Sequence, residues 1–401
     1  MSSVKDQYEA YPYPARDPAD EAKRLITGSP SNPLEIDHFL FGGQRDWSKP
    51  LRVLVAGGGT GDGLIQLAQM LAQLGKPAQI TYLDLSTASR RLAEARAMAR
   101  GLKDIRFVTG SLMDAADLGQ FDYIDCCGVL HHLPDPHAGF AALRAALAPA
   151  DEGGGGLGFM VYAPYGRAGV YPLQAAFGAL FEGQKPTDRL KAAQTLVANL
   201  PAGHPFASNP NLGDHKDSDA GFYDLLLHSQ DRAFDVAELL NVLQTSGWNL
   251  SGFTMPALYD LSRIAPVPDH LSTAQQWAVA EQLRGTIKTH VAYAVPGDAL
   301  HARASGKDRR QIPHLKGVEP RALAQVIAQG KAPKLNFAGI DATLDLPKSA
   351  APVIAAIDGR RDLTQIASAA RLDPIQMGAL WPKIERELAD WGLLLFSRIL
   401  R

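Results

Sequence analysis

Three groups of residues in this chain have the types and spacing to do chemistry. The first is VLVAGGGTGDG at 53–63, where Gly57, Gly58, Gly59 and Gly61 follow an apolar strand and open a helix. Glycines there let a ligand approach the backbone, and a helix N-terminus offers unpaired N–H groups. The spacing is not that of a dinucleotide fingerprint, G-x-G-x-x-G/A. A phosphate loop is excluded too, because Gly63 is followed by Leu64-Ile65. What remains is G-x-G-x-G. The second group is Asp84, at the end of ITYLD, with Leu85 behind it. A carboxylate at such a sheet edge can accept both ribose hydroxyls of a nucleoside. The alternative is an aspartate that caps the next helix, a task for which Ser86 is better placed. With the glycine loop upstream, the ribose reading wins.

The third group is a scatter of acids, bases and phenols. His131 and His132 stand just past an apolar strand. A histidine there is placed to act as general base, but the commoner reading is that the pair shapes the turn before Leu133-Pro134. In YDLLLHSQDRAF, Asp224 and His228 are spaced i, i+4, so a helix would put them on one face with Asp231 as an acid–base pair. A metal is disfavoured against a solvated polar face, since no second histidine stands at ligand spacing. Tyr162 closes a strand on the side where substrates bind in α/β sheets. Tyr11 and Tyr13, with Arg16 and the distant Arg232, are placed either to close over a ligand or, for the tyrosines, to form a Pro-aromatic strap. The adjacent Cys126 and Cys127 lie in an apolar strand and should pack as small hydrophobes.

These residues need a scaffold, and the pattern supplies one. From Leu51–Ala56 onward, short apolar strands (79–83, 105–108, 121–126, 157–162) alternate with helices. One helix carries Leu64, Leu67, Ala68 and Leu71. Another is capped by Ser86, with Leu92, Ala95 and Ala99 on one side, and a third spans 140–147. That alternation argues for a parallel α/β sheet. The rhythm stops for about residues 163–232, too long for an ordinary connection, so an insertion is expected. It resumes with Asp235 and Glu238 as a capping box, a helix ended by Gly247, and the strand Trp248–Phe253. Ile287, Thr289, Val291, Tyr293 and Val295 then alternate as an edge strand would. The expected divisions are an arm at 1–47, the sheet at 48–300, a basic linker at 301–317 and a separate unit at 318–401. In the last, Asp362 with Gln365 and Asp373-Pro374 open two helices before a strand at 393–396, a winged-helix-like order.

Composition narrows the classes. Of 401 residues, 40 are basic and 42 acidic, so the net charge of −2 advertises neither nucleic acid nor an anionic membrane. Two cysteines rule out a disulfide framework and fit a reducing cytoplasm. No signal peptide and no bilayer-spanning apolar run is visible.

On VLVAGGGTG, ITYLDLS, FVTGSLMD and FDYIDCCGVLHHLPDP followed by LRAALAP, the sequence resembles the class I S-adenosyl-L-methionine-dependent methyltransferases over about residues 51–295. The resemblance implies a Rossmann-like seven-stranded sheet with one antiparallel strand. It implies that Gly57, Gly59 and Gly61 hold the amino-acid part of the cofactor and that Asp84 holds its ribose. Gly110, Ser111 and Leu112 would lie near adenine, with Cys127, Gly128 and Val129 along the reacting methyl group. Two positions depart from the family pattern: Val55 stands where an acid is usual, and Ser111 where aspartate is. Methyl transfer needs alignment, exclusion of water and removal of the acceptor's proton, so no nucleophilic triad is expected.

The tail helix holding Lys383 and Arg386 against Glu385, Glu387 and Asp390 is net negative, unlike a helix that reads DNA. It reads instead as a dimerisation or substrate-docking element. Catalytic domain, insertion and helix–wing tail together resemble the bacterial methyltransferases with a regulatory-type extension, a group that includes protein lysine methyltransferases. The tail's IDGRRDLTQIA is the best local match. That resemblance puts a protein acceptor ahead of a small molecule, and both ahead of nucleic acid. A cofactor-binding regulatory protein without activity is the alternative of a different class.

Overall fold

The computed structural model describes residues 4–337 and 339–401. Its centre is a seven-stranded sheet of order β3-β2-β1-β4-β5-β7-β6. The strands are β1 (Leu51–Ala56), β2 (Ala78–Asp84), β3 (Ile105–Thr109), β4 (Tyr123–Cys127), β5 (Gly156–Tyr162), β6 (Trp248–Phe253) and β7 (Thr289–Pro296). Six run in the same direction, and β7 lies antiparallel between β5 and β6. The alternating strand at 287–295 is therefore interior, not an edge. Its even positions His290, Ala292 and Ala294 are fully buried between two paired neighbours.

Before the sheet come α1 (Val4–Ala10) and α2 (Pro33–Leu40). Within the sheet region lie α3 (Asp62–Gln73), α4 (Thr87–Ala99) and α5 (Pro136–Ala146). The insertion forms α6 (Val170–Leu180), α7 (Pro186–Ala198), α8 (Asp214–Asp217) and α9 (Asp219–Leu226), with its own core around Phe177, Phe206 and Phe222. Then follow α10 (Val236–Thr245) and α11 (Thr273–Arg284). Side chains of β1 alternate: Val53 and Val55 face α2 and α3, while Leu54 and Ala56 face α5 and α10. Strand order reverses between β1 and β4, so the loops leaving their C-terminal ends diverge and open a crevice.

Two local expectations shift. Helix α4 buries Ser89, Ala93, Arg96 and Ala97, one position away from the Leu92–Ala95–Ala99 side, because Arg96 is drawn inward by the buried Glu21 and the half-buried Asp62. Asp235 caps α10, but the Glu238 carboxylate leaves the cap and pairs with Arg232.

The C-terminal segment holds β8 (Pro313–Leu315), α12 (Pro320–Ala328), β9 (Lys334–Phe337), β10 (Ile340–Thr343), α13 (Ala351–Ala355), α14 (Leu363–Ala369), α15 (Pro374–Ala389) and β11 (Leu394–Phe396). Capping boxes at Asp362 and Asp373 start α14 and α15 as the sequence pattern requires. The stripe Met377, Trp381, Ile384 and Leu388 is buried in a core continuous with Trp248 and Phe253 of the sheet. Stretch 301–317 is built into this packing, with Ala304, Gln311 and Ile312 buried and β8 paired to β11. The charges of α15 are spent internally: Arg386 reaches Asp260 at 3.2 Å, Asp390 holds Arg263 at 3.0 Å, and Lys383 holds Asp345 at 3.1 Å. Among the described residues, no helix is long and apolar enough to cross a membrane.

His38 seals the junction between α2 and the tail, its Nδ1 accepting the Phe396 N–H at 3.2 Å. Burial, with the Arg303 charge acting in the same sense, pushes its imidazole down to about 3. Above the ordinary value of 6.5 both folded and unfolded forms are neutral. Below it the unfolded chain binds a proton that the folded chain refuses, so stability falls as pH falls. Between pH 6.5 and about 5.5, denaturant melts should show the wild type losing about 1 kcal/mol more than His38→Gln. Equal losses would remove His38 as the source.

Candidate functional site

The glycine loop leaves β1 in a shape only glycine tolerates. Gly57, Gly59 and Gly61 have φ of 68°, 51° and 101°. A Cβ on Gly57 would lie 2.4 Å from Val129, and one on Gly58 2.4 Å from the Tyr82 ring. Asp84 holds the loop open. Its Oδ2 accepts the Gly59 N–H and its Oδ1 the Ser86 N–H, each at 2.8 Å. Each oxygen keeps a second lone pair. Burial pushes this carboxyl up, against the two N–H groups that favour its charge. Leu85 beside it is exposed.

On the flanks, Gly110 donates to the Asp84 carbonyl at 2.9 Å. Ser111 Oγ is engaged as the cap of a short turn, accepting the Met113 N–H at 3.1 Å, and Leu112 is buried. At the end of β4 the two cysteines part: Cys126 is buried and Cys127 exposed. The reading of both as packed hydrophobes therefore holds for Cys126 only, because successive strand residues face opposite sides. Gly128 follows with φ 80°, its N–H on the Met160 carbonyl at 3.1 Å.

Asp125 escaped the sequence reading, hidden in the apolar run FDYIDCC. It lies beside Val55 in the β1–β4 register and accepts Ser31 Oγ at 2.6 Å and the Tyr123 hydroxyl at 3.1 Å. Burial pushes its carboxyl up to about 6.

The N-terminal arm lies across this loop. Thr60 Oγ1 donates to the Pro14 carbonyl at 2.7 Å, and a Cβ on Gly59 would meet the Tyr13 carbonyl at 2.9 Å. Arg16 forks onto Asp62 at 2.9 and 2.6 Å. The fully buried Arg96 ties Glu21 at 2.6 Å and Asp62 at 2.7 Å. At the other end, Ser86 Oγ donates to the Tyr8 carbonyl at 3.2 Å, and Glu9 accepts N–H groups at the start of α4. Tyr11 stacks on Tyr223 of α9 at 4.9 Å, and Tyr13 is half-buried.

The third group assembles differently from its helical reading. Helix α9 ends at Leu226, so His228 and Asp231 stand in the following loop and not on one helical face. Asp224 nevertheless meets His228 through the arm. The Tyr8 hydroxyl donates to Asp224 Oδ1 at 2.9 Å and lies 3.3 Å from His228 Nε2. The Tyr162 hydroxyl donates to Asp224 Oδ2 at 3.2 Å. His228 Nδ1 accepts the Gln230 N–H at 3.1 Å, which leaves the proton of the neutral ring on Nε2, toward Tyr8. Burial pushes His132 and His228 down to about 3 and raises the Asp224 carboxyl.

Stacked rings fill the cluster: His131 on Tyr162 at 3.8 Å, and His132 on His228 at 3.8 Å. Asp231 turns instead to Arg167 at 2.9 Å, whose guanidinium lies 3.5 Å over the Tyr162 ring. Arg232 stays outside. Its guanidinium pairs with Glu238, while its backbone N–H donates to the His131 carbonyl at 3.1 Å. Tyr8 and Arg167 were missed as site residues because no spacing links them to Asp224 or Tyr162. Only the folded arm and insertion bring them in.

The same crevice and sheet recur elsewhere. The family profile described as "Methyltransferase domain" matches residues 54–154, which hold the loop, Asp84 and β4. An uncharacterized protein of a Synechococcus strain is 30% identical over 335 residues, 80% of this chain and 77% of that relative. A ubiquinone biosynthesis O-methyltransferase of Bordetella pertussis is 35% identical over 97 residues, only 24% of this chain and 37% of that enzyme. In fold, the chain is similar to PKMT2 of Rickettsia typhi, solved in complex with AdoHcy. The TM-score is 0.63 at 15% identity, covering 92% of this chain and 76% of PKMT2. From a reversal of strand order with a glycine loop on one side of it, through the profile match, to the relative aligned along most of its length, the findings converge: the chain belongs to the class I S-adenosyl-L-methionine-dependent methyltransferases.

Proposed function

We propose that the chain methylates a protein lysine side chain in the cytoplasm, with the acceptor nitrogen held among Tyr8, Tyr162, Asp224 and His228. The observation that carries this reading is the span of Tyr8. Its carbonyl accepts from Ser86 beside Asp84, and its hydroxyl donates to Asp224, so one residue joins the nucleoside side to the acid cluster. On this reading Gly57, Gly58, Gly59 and Gly61 lie against the amino-acid part of the cofactor and Asp84 against ribose. Gly110 to Leu112 flank adenine, and Cys127 to Val129 the methyl group.

The transfer is an in-line displacement at the sulfonium-bound carbon, and the cofactor supplies the leaving group. The chain must bring the nucleophile into line, exclude water and take its proton. Asp224 is suited to the proton: it is buried, raised in pKa and set between two phenols. The Tyr8 and Tyr162 rings suit a cationic ammonium before it is deprotonated. Likeness to PKMT2 over most of the chain supports a protein acceptor. Helices α14 and α15 with β8 and β11 support a winged-helix-like module, which we read as docking the substrate or a second copy. Its internally paired charges argue against nucleic acid.

Purified protein, labelled cofactor and cell lysate test this directly. Label should enter the protein fraction and survive hydrolysis as methyl-lysine. Label confined to small molecules, as for the O-methyltransferase relatives, or to RNA, would overturn the lysine assignment.

A further inference from the structure

We propose that His131, His132 and Asp231 form a two-histidine, one-carboxylate site for a divalent transition metal. One ligand atom from each lies within 4.8 Å of the other two. An ion with bonds of about 2.1 Å separates its ligand atoms by no more than about 4.2 Å, so a small closure of the side chains completes the site.

Two of the three residues hold buried polar atoms that lack partners. His131 is fully buried, yet neither ring nitrogen has a hydrogen-bond partner among the described residues. Asp231 places Oδ2 against Arg167 and Gln174, both at 2.9 Å, while its buried Oδ1 has none. Buried polar atoms are seldom left unpaired, and two residues of this one trio carry them.

The surroundings match those of a metal site. His132 Nδ1 is 3.0 Å from the Gln230 carbonyl, which fixes the proton there and leaves the Nε2 lone pair free. The Arg167 and Gln174 contacts orient the carboxylate in the same way. A neighbouring trio, His132, Asp224 and His228, meets the same distance limit, but its carboxylate and its second histidine are already engaged. There Asp224 already accepts two phenols, and His228 Nδ1 accepts a backbone N–H. Two imidazoles and one carboxylate favour zinc, iron or cobalt over magnesium or calcium.

The sequence offered no such site because it placed one histidine, His228, at helical spacing from an acid. The fold instead brings the His131-His132 pair that follows β4 to Asp231 beyond α9. This inference is independent of the methyl acceptor, and its readout is binding alone.

The full chain, stripped with a chelator, should be titrated with Co²⁺ and followed by visible absorption and calorimetry. One saturable equivalent is expected. His131→Gln, which breaks no hydrogen bond of the metal-free structure, and Asp231→Asn should each weaken binding more than about tenfold. His137→Gln, at an exposed position, should bind as wild type does. Absence of saturable Co²⁺ binding, or affinities in both site variants equal to wild type, would overturn the site.

Discussion

Asp224→Asn is expected to lower kcat for methyl transfer about a hundredfold, with KM changed far less. A positioned general base contributes roughly 10²–10⁴-fold. The low end applies here because the asparagine keeps one acceptor oxygen for the Tyr8 or Tyr162 hydroxyl, at 2.9 and 3.2 Å in the wild type. What it loses is the ability to take a proton. Burial favours that ability, since removing water from a carboxylate raises its affinity for protons. Tyr8→Phe serves as the companion. It removes one donor to Asp224 but leaves the carboxylate, so its loss of kcat should be smaller. Rates measured on the labelled acceptor fraction, alongside thermal melts, separate chemistry from unfolding. A kcat for Asp224→Asn within twofold of wild type, in a folded protein, would remove Asp224 from proton transfer.

Asp84→Ala should weaken S-adenosyl-L-methionine at least tenfold in calorimetric titration. Hydrogen bonds to a charged group contribute about 1.5–3 kcal/mol each, and about 1.4 kcal/mol is tenfold in affinity. Two effects add. The free lone pairs that would receive the ribose hydroxyls disappear, and so does the carboxylate that holds the Gly59 and Ser86 N–H groups at 2.8 Å. Asp84→Asn should fall between alanine and wild type, because its oxygen can keep one of those contacts while its amide cannot accept. An unchanged affinity for Asp84→Ala would refute the ribose assignment, leaving the residue as a brace for the loop.

The two positions differ in how far the sequence revealed them. Asp84 was legible because its setting is local: a strand ends, a carboxylate follows, a helix cap comes next, and the glycine loop stands one βα unit upstream. The Asp224 cluster was legible only as a list of reactive side chains. Its geometry was misjudged, because a spacing of four suggests one helical face and α9 stops at Leu226. Tyr8, separated from Asp224 by 216 residues, gave no sign of its role. The strand at 287–295 failed for a related reason. Alternation marked Thr289, Val291 and Val295, which are only partly buried, and could not tell that a further strand, β6, pairs on the open side.

By itself, the sequence determined the order of β1 to β7 along the chain, the helix caps at Ser86, Asp235, Asp362 and Asp373, the glycine loop with its acid, and hence the family. Each of these rests on contacts between residues close in the chain, where hydrophobic period and capping chemistry are sufficient. Tertiary structure alone decided the position of β7, the arm lying across the loop, the docking of the C-terminal segment on the sheet, and the meeting of Tyr8, His132, Tyr162 and His228 around Asp224. Those are contacts between distant segments, set by which buried polar groups find partners once the apolar faces have closed, and no local spacing encodes that choice.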